Sequence, residues 1–222
     1  MSRPSMTEHL AHRAVERTVA GRRAEYEREM ARIVESTFTV IERTGTVEPS
    51  MRVILAEANL STQAFYRYFT SKDELMLALL DEGRRRLLAS LERRMMQSTE
   101  PADQVRAWVQ GVLAQASNTG AAARTRPWVT SEQRLSELFP EEQQASVDLL
   151  IGLLHDPIDQ LRGNSGGRRP KRDSQDDAVH SGAVMVYRLA FATLRSHLAA
   201  GTKPSPHETA ELVGFCLRGV TV

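Results

Sequence analysis

Residues 45–72 read GTVEPSMRVILAEANLSTQAFYRYFTSK, and they contain two very short predicted helices joined by a tight turn. The helices cover about 50–58 and 61–68, and each is opened by a serine, which is a preferred N-cap residue. Asn59 lies between them, and asparagine is one of the few non-glycine residues that readily adopt a left-handed backbone conformation. This pattern predicts a helix-turn-helix.

The second short helix has two chemically different faces. Phe65 and Phe69 lie one turn apart and are predicted to anchor the helix inward. The opposite face is polar and consists of Thr62, Gln63, Tyr66 and Arg67. A helix fits the major groove of B-DNA, and hydroxyl, amide and guanidinium groups suit base edges and phosphates. The sequence therefore predicts a DNA-binding surface, rather than an aromatic cluster that only fills a core.

The flanking segments complete a small N-terminal domain. Apolar residues recur at helical spacing from Tyr26 to Ile41 and predict an amphipathic helix that ends before Gly45. Residues 1–23 carry arginines but no sustained apolar stripe, so we expect a flexible arm or a frayed helical extension. Ser71 and Glu74 form a predicted capping box that starts a long leucine-rich helix.

Helical periodicity continues to the C-terminus, and no alternating strand pattern is evident. Helices are predicted from Pro101, near 128–138 and from Pro140, with a kink or break at Pro157. A Gly- and Arg-rich loop at 162–172 precedes two last helices. The predicted fold is all-α, with a flexible basic arm (1–23), a three-helix DNA-binding domain containing the helix-turn-helix (24–72), and a larger helical domain (73–222).

The bulk properties exclude several other classes of protein. The 222 residues include 29 Lys and Arg against 28 Asp and Glu, so net charge alone does not indicate a nucleic-acid partner. No apolar run approaches a membrane span and the N-terminus lacks a signal-peptide pattern, so we expect a cytoplasmic protein. The single cysteine, Cys216, excludes an intrachain disulfide framework.

The chain shows no pattern typical of catalysis or of metal binding. The six histidines include no i, i+4 pair and no carboxylate-spaced triad, so no metal site and no cofactor are predicted. A helical enzyme would need convergent acid, base or nucleophilic groups, and none is found. We therefore expect a protein that is not an enzyme.

Residues 61–69 followed by Lys72 resemble the TetR family of transcriptional regulators. The shared pattern is a serine, variable residues, a tyrosine, then a phenylalanine, and a lysine that opens the next helix. Gly45, Ser50, Ile54 and Ala58 also occupy positions that fit the family pattern, while Asn59 replaces the usual glycine. The specific resemblance covers about residues 26–80.

The resemblance implies roles for individual residues. Arg52, Thr62 and Gln63 would read bases, and Arg67 would contact bases or phosphates. The residues expected to bind phosphates are Ser50, Tyr66, Tyr68 and Lys72.

The larger domain is expected to pair two chains and to sense a small molecule. The last two helices suit an interface with a second copy, unless their apolar stripes face only the core of their own chain. The predicted interface residues are Ala183, Val186, Ala190, Phe191, Leu194, Leu212, Val213 and Leu217. An adaptable apolar pocket is predicted near Met95, Trp108 and Trp128. The resemblance implies that an effector bound there shifts the dimer between DNA-competent and released forms.

The sequence thus predicts a repressor that binds a palindromic operator in double-stranded DNA as a homodimer. Its release is expected from a small, largely apolar effector, such as an acyl-CoA or another lipid-like metabolite. The alternative is a DNA-binding regulator whose C-terminal domain docks a protein partner instead of a small molecule.

Overall fold

The computed structural model describes residues 6–46, 49–117, 119–164 and 172–221. Side chains are described in the same ranges except at 6–14, 119, 123–124, 126–132, 164 and 172–175. Within the described residues the chain is all-α, without a strand, as the sequence predicts. Its ten described helices are α1 Met6–Thr44, α2 Met51–Glu57, α3 Thr62–Phe65, α4 Lys72–Met95, α5 Pro101–Ser117, α6 Thr119–Leu138, α7 Pro140–Gly152, α8 His155–Asn164, α9 Arg172–Ala200 and α10 Pro206–Val220.

Most helix ends lie where turn and capping chemistry places them. α1 ends at Gly45, whose φ of 66° is in the left-handed region and whose N–H donates to the Ile41 carbonyl at 2.9 Å. Ser71 Oγ accepts from the Glu74 N–H at 3.1 Å, and Ser205 Oγ accepts from the Glu208 N–H at 3.0 Å. These bonds satisfy backbone donors that a helix start leaves without an intrahelical partner.

Pro157 does not kink a continuous helix. The predicted helix after Pro140 ends at Gly152, and α8 starts at His155. Pro157 is therefore the third residue of α8, where a backbone N–H has no intrahelical acceptor, so its missing donor costs no hydrogen bond. α6 is also longer than predicted, since it begins at Thr119 rather than near 128.

Residues 6–23 are helical in the structure. They form the first half of α1, which agrees with the expected helical extension and not with a flexible arm. Side chains from Val15 to Arg28 are exposed, and an i, i+4 ion pair between Arg23 and Glu27 (2.9 Å) lies on this stretch. Its alanines, arginines and glutamates have high helix propensity. This propensity determines the local structure more strongly than the absence of an apolar stripe does.

The chain divides into two units, Met1–Met76 and Leu77–Val222, so the division falls inside α4 and not at the predicted 72/73 boundary. The smaller unit has a core of large side chains from the C-terminal half of α1, from α2 and α3, and from the start of α4. Its largest fully buried members are Ile33, Phe38, Ile41, Ile54, Phe65, Phe69 and Leu75.

The larger unit is built around α5. Trp108 on α5 is completely buried, and its Nε1–H donates to the backbone carbonyl of Leu150 on α7 at 3.1 Å. α5 packs against α6, α8, α9 and α10. Cys216 on α10 belongs to this core, and burial raises the pKa of its thiol to about 11. Burial thus disfavours the reactive thiolate, and Cys216 packs in the core as a small apolar side chain.

Several residues expected at the dimer interface are buried inside the single chain. Five of the eight are at most 5% exposed and belong to the core of the larger unit: Ala183, Val186, Ala190, Leu194 and Val213. The other three, Phe191, Leu212 and Leu217, are partly buried against the same core. The apolar stripes of α9 and α10 therefore face their own chain, because α5 and α8 cover them.

No helix in the described part of the chain is both long enough and apolar enough to cross a bilayer.

Candidate nucleic-acid interface

The turn between α2 and α3 has the geometry expected from its sequence. Asn59 has a φ of 51°, in the left-handed region. The N–H of Leu60 donates to the Leu55 carbonyl at 2.9 Å, and the N–H of Asn59 donates to Ala56 at 3.2 Å. These bonds satisfy the last carbonyls of α2 and turn the chain sharply into α3.

α3 is shorter than predicted and depends on its surroundings. Regular α-helix covers only Thr62–Phe65, with Ser61 Oγ capping the Ala64 N–H at 3.1 Å. After Phe65 the backbone tightens, because the N–H groups of Arg67 and Tyr68 bond to carbonyls three residues back. An isolated helix needs roughly 12–15 residues to be even marginally stable. Tertiary anchoring must therefore hold this segment.

Phe65 and Phe69 provide the anchor. They are 0% and 1% exposed, and their rings stack with centroids 5.4 Å apart. The two phenylalanines thus point inward as predicted. The polar side chains of the opposite face, Thr62, Gln63, Tyr66 and Arg67, are all exposed. Tyr66 is 60% exposed although it is aromatic, so its ring is available to a partner molecule.

The remaining predicted contacts lie at helix starts. Ser50 is the N-cap residue of α2 but makes no side-chain cap bond, and Arg52 is exposed in the first turn of the same helix. Lys72 is the first residue of α4 and is half-buried. A hydroxyl, a guanidinium and an ammonium at such positions can donate hydrogen bonds to phosphate oxygens, and the two cations also neutralise phosphate charge.

Tyr26 holds the end of the α3 segment through its hydroxyl group. This role was not predicted from the sequence. Its Oη lies 2.9 Å from the Arg67 carbonyl oxygen and 3.3 Å from the Tyr68 carbonyl oxygen. A hydroxyl has one hydrogen, so Tyr26 donates to the two acceptors alternately or shares the hydrogen between them. The Tyr26 ring also packs on Tyr68 (centroids 4.8 Å apart), and Arg67 Cζ lies 5.9 Å from the Tyr68 ring centroid. Helical periodicity placed Tyr26 on an apolar stripe, which gave no indication of this bond.

The predicted pocket residues lie in the larger unit. Met95 and Trp108 are both buried in its core, and Trp128 lies outside the residues whose side chains are described. The Trp108 ring is near Tyr187 and Phe191, with centroids 6.5 and 6.3 Å away. Tyr187 and Phe191 stack on each other at 4.4 Å. Trp108 is thus one member of an aromatic cluster contributed by α5 and α9.

Comparison with protein families identifies the smaller unit. A protein-family model, described as bacterial regulatory proteins of the tetR family, matches residues 33–79. This range includes α2, α3 and the start of α4. The resemblance predicted from the sequence is thereby confirmed. Members of this family are transcriptional regulators and not enzymes. No curated protein sequence matches the chain.

Solved structures show the same fold at low sequence identity. A bacterial regulatory protein in the tetR family from Rhodococcus RHA1 is 21% identical, with a TM-score of 0.55 over 86% of this chain and 96% of that chain. RolR (NCGL1110) in complex with resorcinol is 14% identical, with a TM-score of 0.61 over 90% of each chain. Thermus thermophilus FadR in complex with lauroyl-CoA is 18% identical, with a TM-score of 0.57 over 86% of this chain and 92% of that chain. At these identities the likeness shows the shared fold alone.

Tyr26→Phe should weaken binding to duplex DNA without unfolding the protein. The change keeps the ring on Tyr68 but removes a hydrogen bond, worth about 1 kcal/mol, or about fivefold in affinity. The measurement is titration of a duplex that the wild-type chain has selected from a random-sequence pool, with amide exchange of residues 62–69 followed in parallel. Unchanged affinity together with unchanged exchange would show that the bond does not position α3.

Proposed function

Since the chain carries the DNA-binding domain of the tetR family, we propose that it is a repressor that binds a palindromic operator as a homodimer. A small, largely apolar effector releases it from DNA in the cytoplasm. DNA binding is supported by the exposed polar face of α3, which two fully buried phenylalanines hold outward.

The residues of this surface divide into two roles. Arg52, Thr62 and Gln63 read base edges, and a guanidinium can bond O6 and N7 of guanine with two donors. Ser50, Tyr66 and Lys72 bind phosphates and set the register without reading sequence. Tyr68 is half-buried between the Tyr26 ring and the Arg67 guanidinium, so we assign it both a phosphate contact and a role in positioning Arg67.

Arg52→Ala and Tyr66→Phe should have different effects on DNA binding. Loss of a base contact by Arg52→Ala should cost about 1–3 kcal/mol and relax base preference at one position of each half-site. Tyr66→Phe removes a phosphate contact and should weaken all duplexes alike. Arg93→Ala, an exposed arginine of α4 in the larger unit, is the matched control. Binding curves and repeated pool selection measure both effects, and two variants indistinguishable from the control would contradict the assigned roles.

We propose that two chains pair through a different face of α9 and α10 from the one predicted. Met185 and Phe215 are 61% and 58% exposed, and Leu189 is 37% exposed. Met185 and Leu189 lie one turn apart on α9, with the exposed Ala192 following. Large apolar side chains exposed on two helices that pack against each other indicate a contact surface. Pairing presents two copies of α3 to two half-sites, which a palindromic operator requires.

The double variant Met185→Asp/Phe215→Asp should be monomeric, because pairing would bury four carboxylates in an apolar interface. Its matched control is Leu149→Asp on α7, a residue that is also 61% exposed. Sedimentation equilibrium measures the assembly state of each protein. A double variant that stays dimeric, or a control that dissociates equally, would place the pairing surface elsewhere.

The effector site is proposed in the larger unit, beside the aromatic cluster of Trp108, Tyr187 and Phe191. A buried amide supports a ligand with one polar group. Gln143 on α7 is only 5% exposed, and no acceptor among the described residues bonds its Nε2. Leaving a buried donor without a partner costs about 1–3 kcal/mol. A carbonyl, hydroxyl or carboxylate oxygen of a bound effector would accept this hydrogen bond.

Two structural neighbours contain molecules that combine an apolar part with hydrogen-bond acceptors. RolR binds resorcinol, and the Thermus thermophilus FadR structure contains lauroyl-CoA. Of these, lauroyl-CoA is closer to the effector that we propose, since its chain is apolar and its thioester carbonyl is an acceptor.

Gln143→Leu should separate effector binding from folding. The variant should melt at or above the wild-type temperature, because it removes a buried donor that has no acceptor among the described residues. Lauroyl-CoA should release the variant from DNA at least fivefold less effectively than it releases the wild type. Gln144→Leu is the control, since Gln144 is exposed and bonds Asp148 at 2.7 Å on the surface of α7. Equal release of both variants would contradict the role of Gln143. A wild-type chain that keeps its DNA at saturating lauroyl-CoA would exclude this effector class.

A further inference from the structure

Two histidines meet between α8 and α9 in the larger unit. His155 is the first residue of α8 and half-buried, and His180 is exposed on α9. His155 Nε2 lies 3.3 Å from His180 Nδ1. The ring centroids are 5.4 Å apart and the ring planes are inclined by 74°. Each imidazole therefore directs a ring nitrogen at the other from a separate helix.

This separation fits two ligands of one metal ion as well as it fits a hydrogen bond. Zinc binds imidazole nitrogen at about 2.0–2.1 Å in a tetrahedral arrangement, which places two such nitrogens about 3.3 Å apart. An ordinary N–H···N bond is also compatible, but it needs one ring to carry its proton on the facing nitrogen. A metal ion requires both rings to be neutral and both facing nitrogens to be free of a proton, so that each nitrogen can donate its lone pair.

We propose that His155 and His180 form a binding site for a zinc-class divalent cation that joins α8 to α9. Imidazole is a preferred ligand of Zn²⁺, Ni²⁺ and Cu²⁺, whereas Mg²⁺ and Ca²⁺ favour oxygen. Bound metal would link the two helices within the proposed effector-binding unit. The site is independent of the DNA-binding and effector proposals, since it uses none of their residues.

Additional ligands are close in sequence. In the described residues and their present arrangement, no group of three or more His, Cys, Asp or Glu side chains surrounds a metal position. Asp176 and Asp177 are exposed and precede His180 by four and three residues. Residues three and four apart share one face of a helix. A rotamer change of either carboxylate would bring an oxygen toward the pair, and water would complete the coordination.

The site is tested by zinc binding to the full chain after treatment with a chelator. ZnCl2 is titrated against a competing chromogenic chelator, and Co²⁺ is added separately to record the visible absorption of tetrahedral cobalt. The wild-type chain should bind one zinc with micromolar affinity at this position. His155→Gln and His180→Gln should each weaken that binding at least tenfold and abolish the cobalt spectrum.

The controls separate ligation from folding and from other histidines. Glutamine keeps a polar side chain of similar reach, and melting by circular dichroism confirms that each variant folds. His207→Gln, an exposed histidine on α10, should bind zinc like the wild type. Zinc affinity and stoichiometry that are equal in the wild type and in the His155→Gln/His180→Gln double variant would overturn the proposal.

Discussion

The stacking of Phe65 on Phe69 inside the smaller unit is the contact on which the DNA-binding surface depends. Four residues of regular helix have no stability of their own. Burying two aromatic rings contributes about 1.5–3 kcal/mol each, and this fixes the rotation of α3 about its axis. The left-handed turn at Asn59 and the Tyr26 hydroxyl fix the two ends of the segment. Only with all three in place do Thr62, Gln63, Tyr66 and Arg67 share one exposed face.

Local chemistry made this unit predictable from the sequence. A glycine or asparagine at a left-handed position, a serine at a helix start and phenylalanines one turn apart each act over a few residues, and the structure contains all of them. Tyr26 was not predicted because its acceptors are carbonyls 41 and 42 residues away. The meeting of His155 and His180, 25 residues apart, escaped notice for the same reason.

The larger unit shows where periodicity fails to distinguish alternatives. The stripe of Ala183, Val186, Ala190 and Leu194 indicates that α9 buries one face, but it does not say whether the same chain or a second copy covers it. The structure assigns that stripe to the chain's own core. The surface that we propose for pairing carries Met185 and Phe215, whose exposure is known only once the core has been defined. Likewise, only the packed structure shows that Gln143 Nε2 has no hydrogen-bond partner among the described residues.

If the exposed face of α3 enters duplex DNA, a photoreactive residue on that face should react with the bases. We place such a residue at Gln63 or, as a control, at the exposed Thr39 of α1. The chain should crosslink from position 63 to bases of a duplex selected by the wild type, and unlabelled duplex should compete. Crosslinking from position 39 should stay at background. Equal yields from both positions, or none from position 63 on a duplex that the protein still binds, would contradict the account.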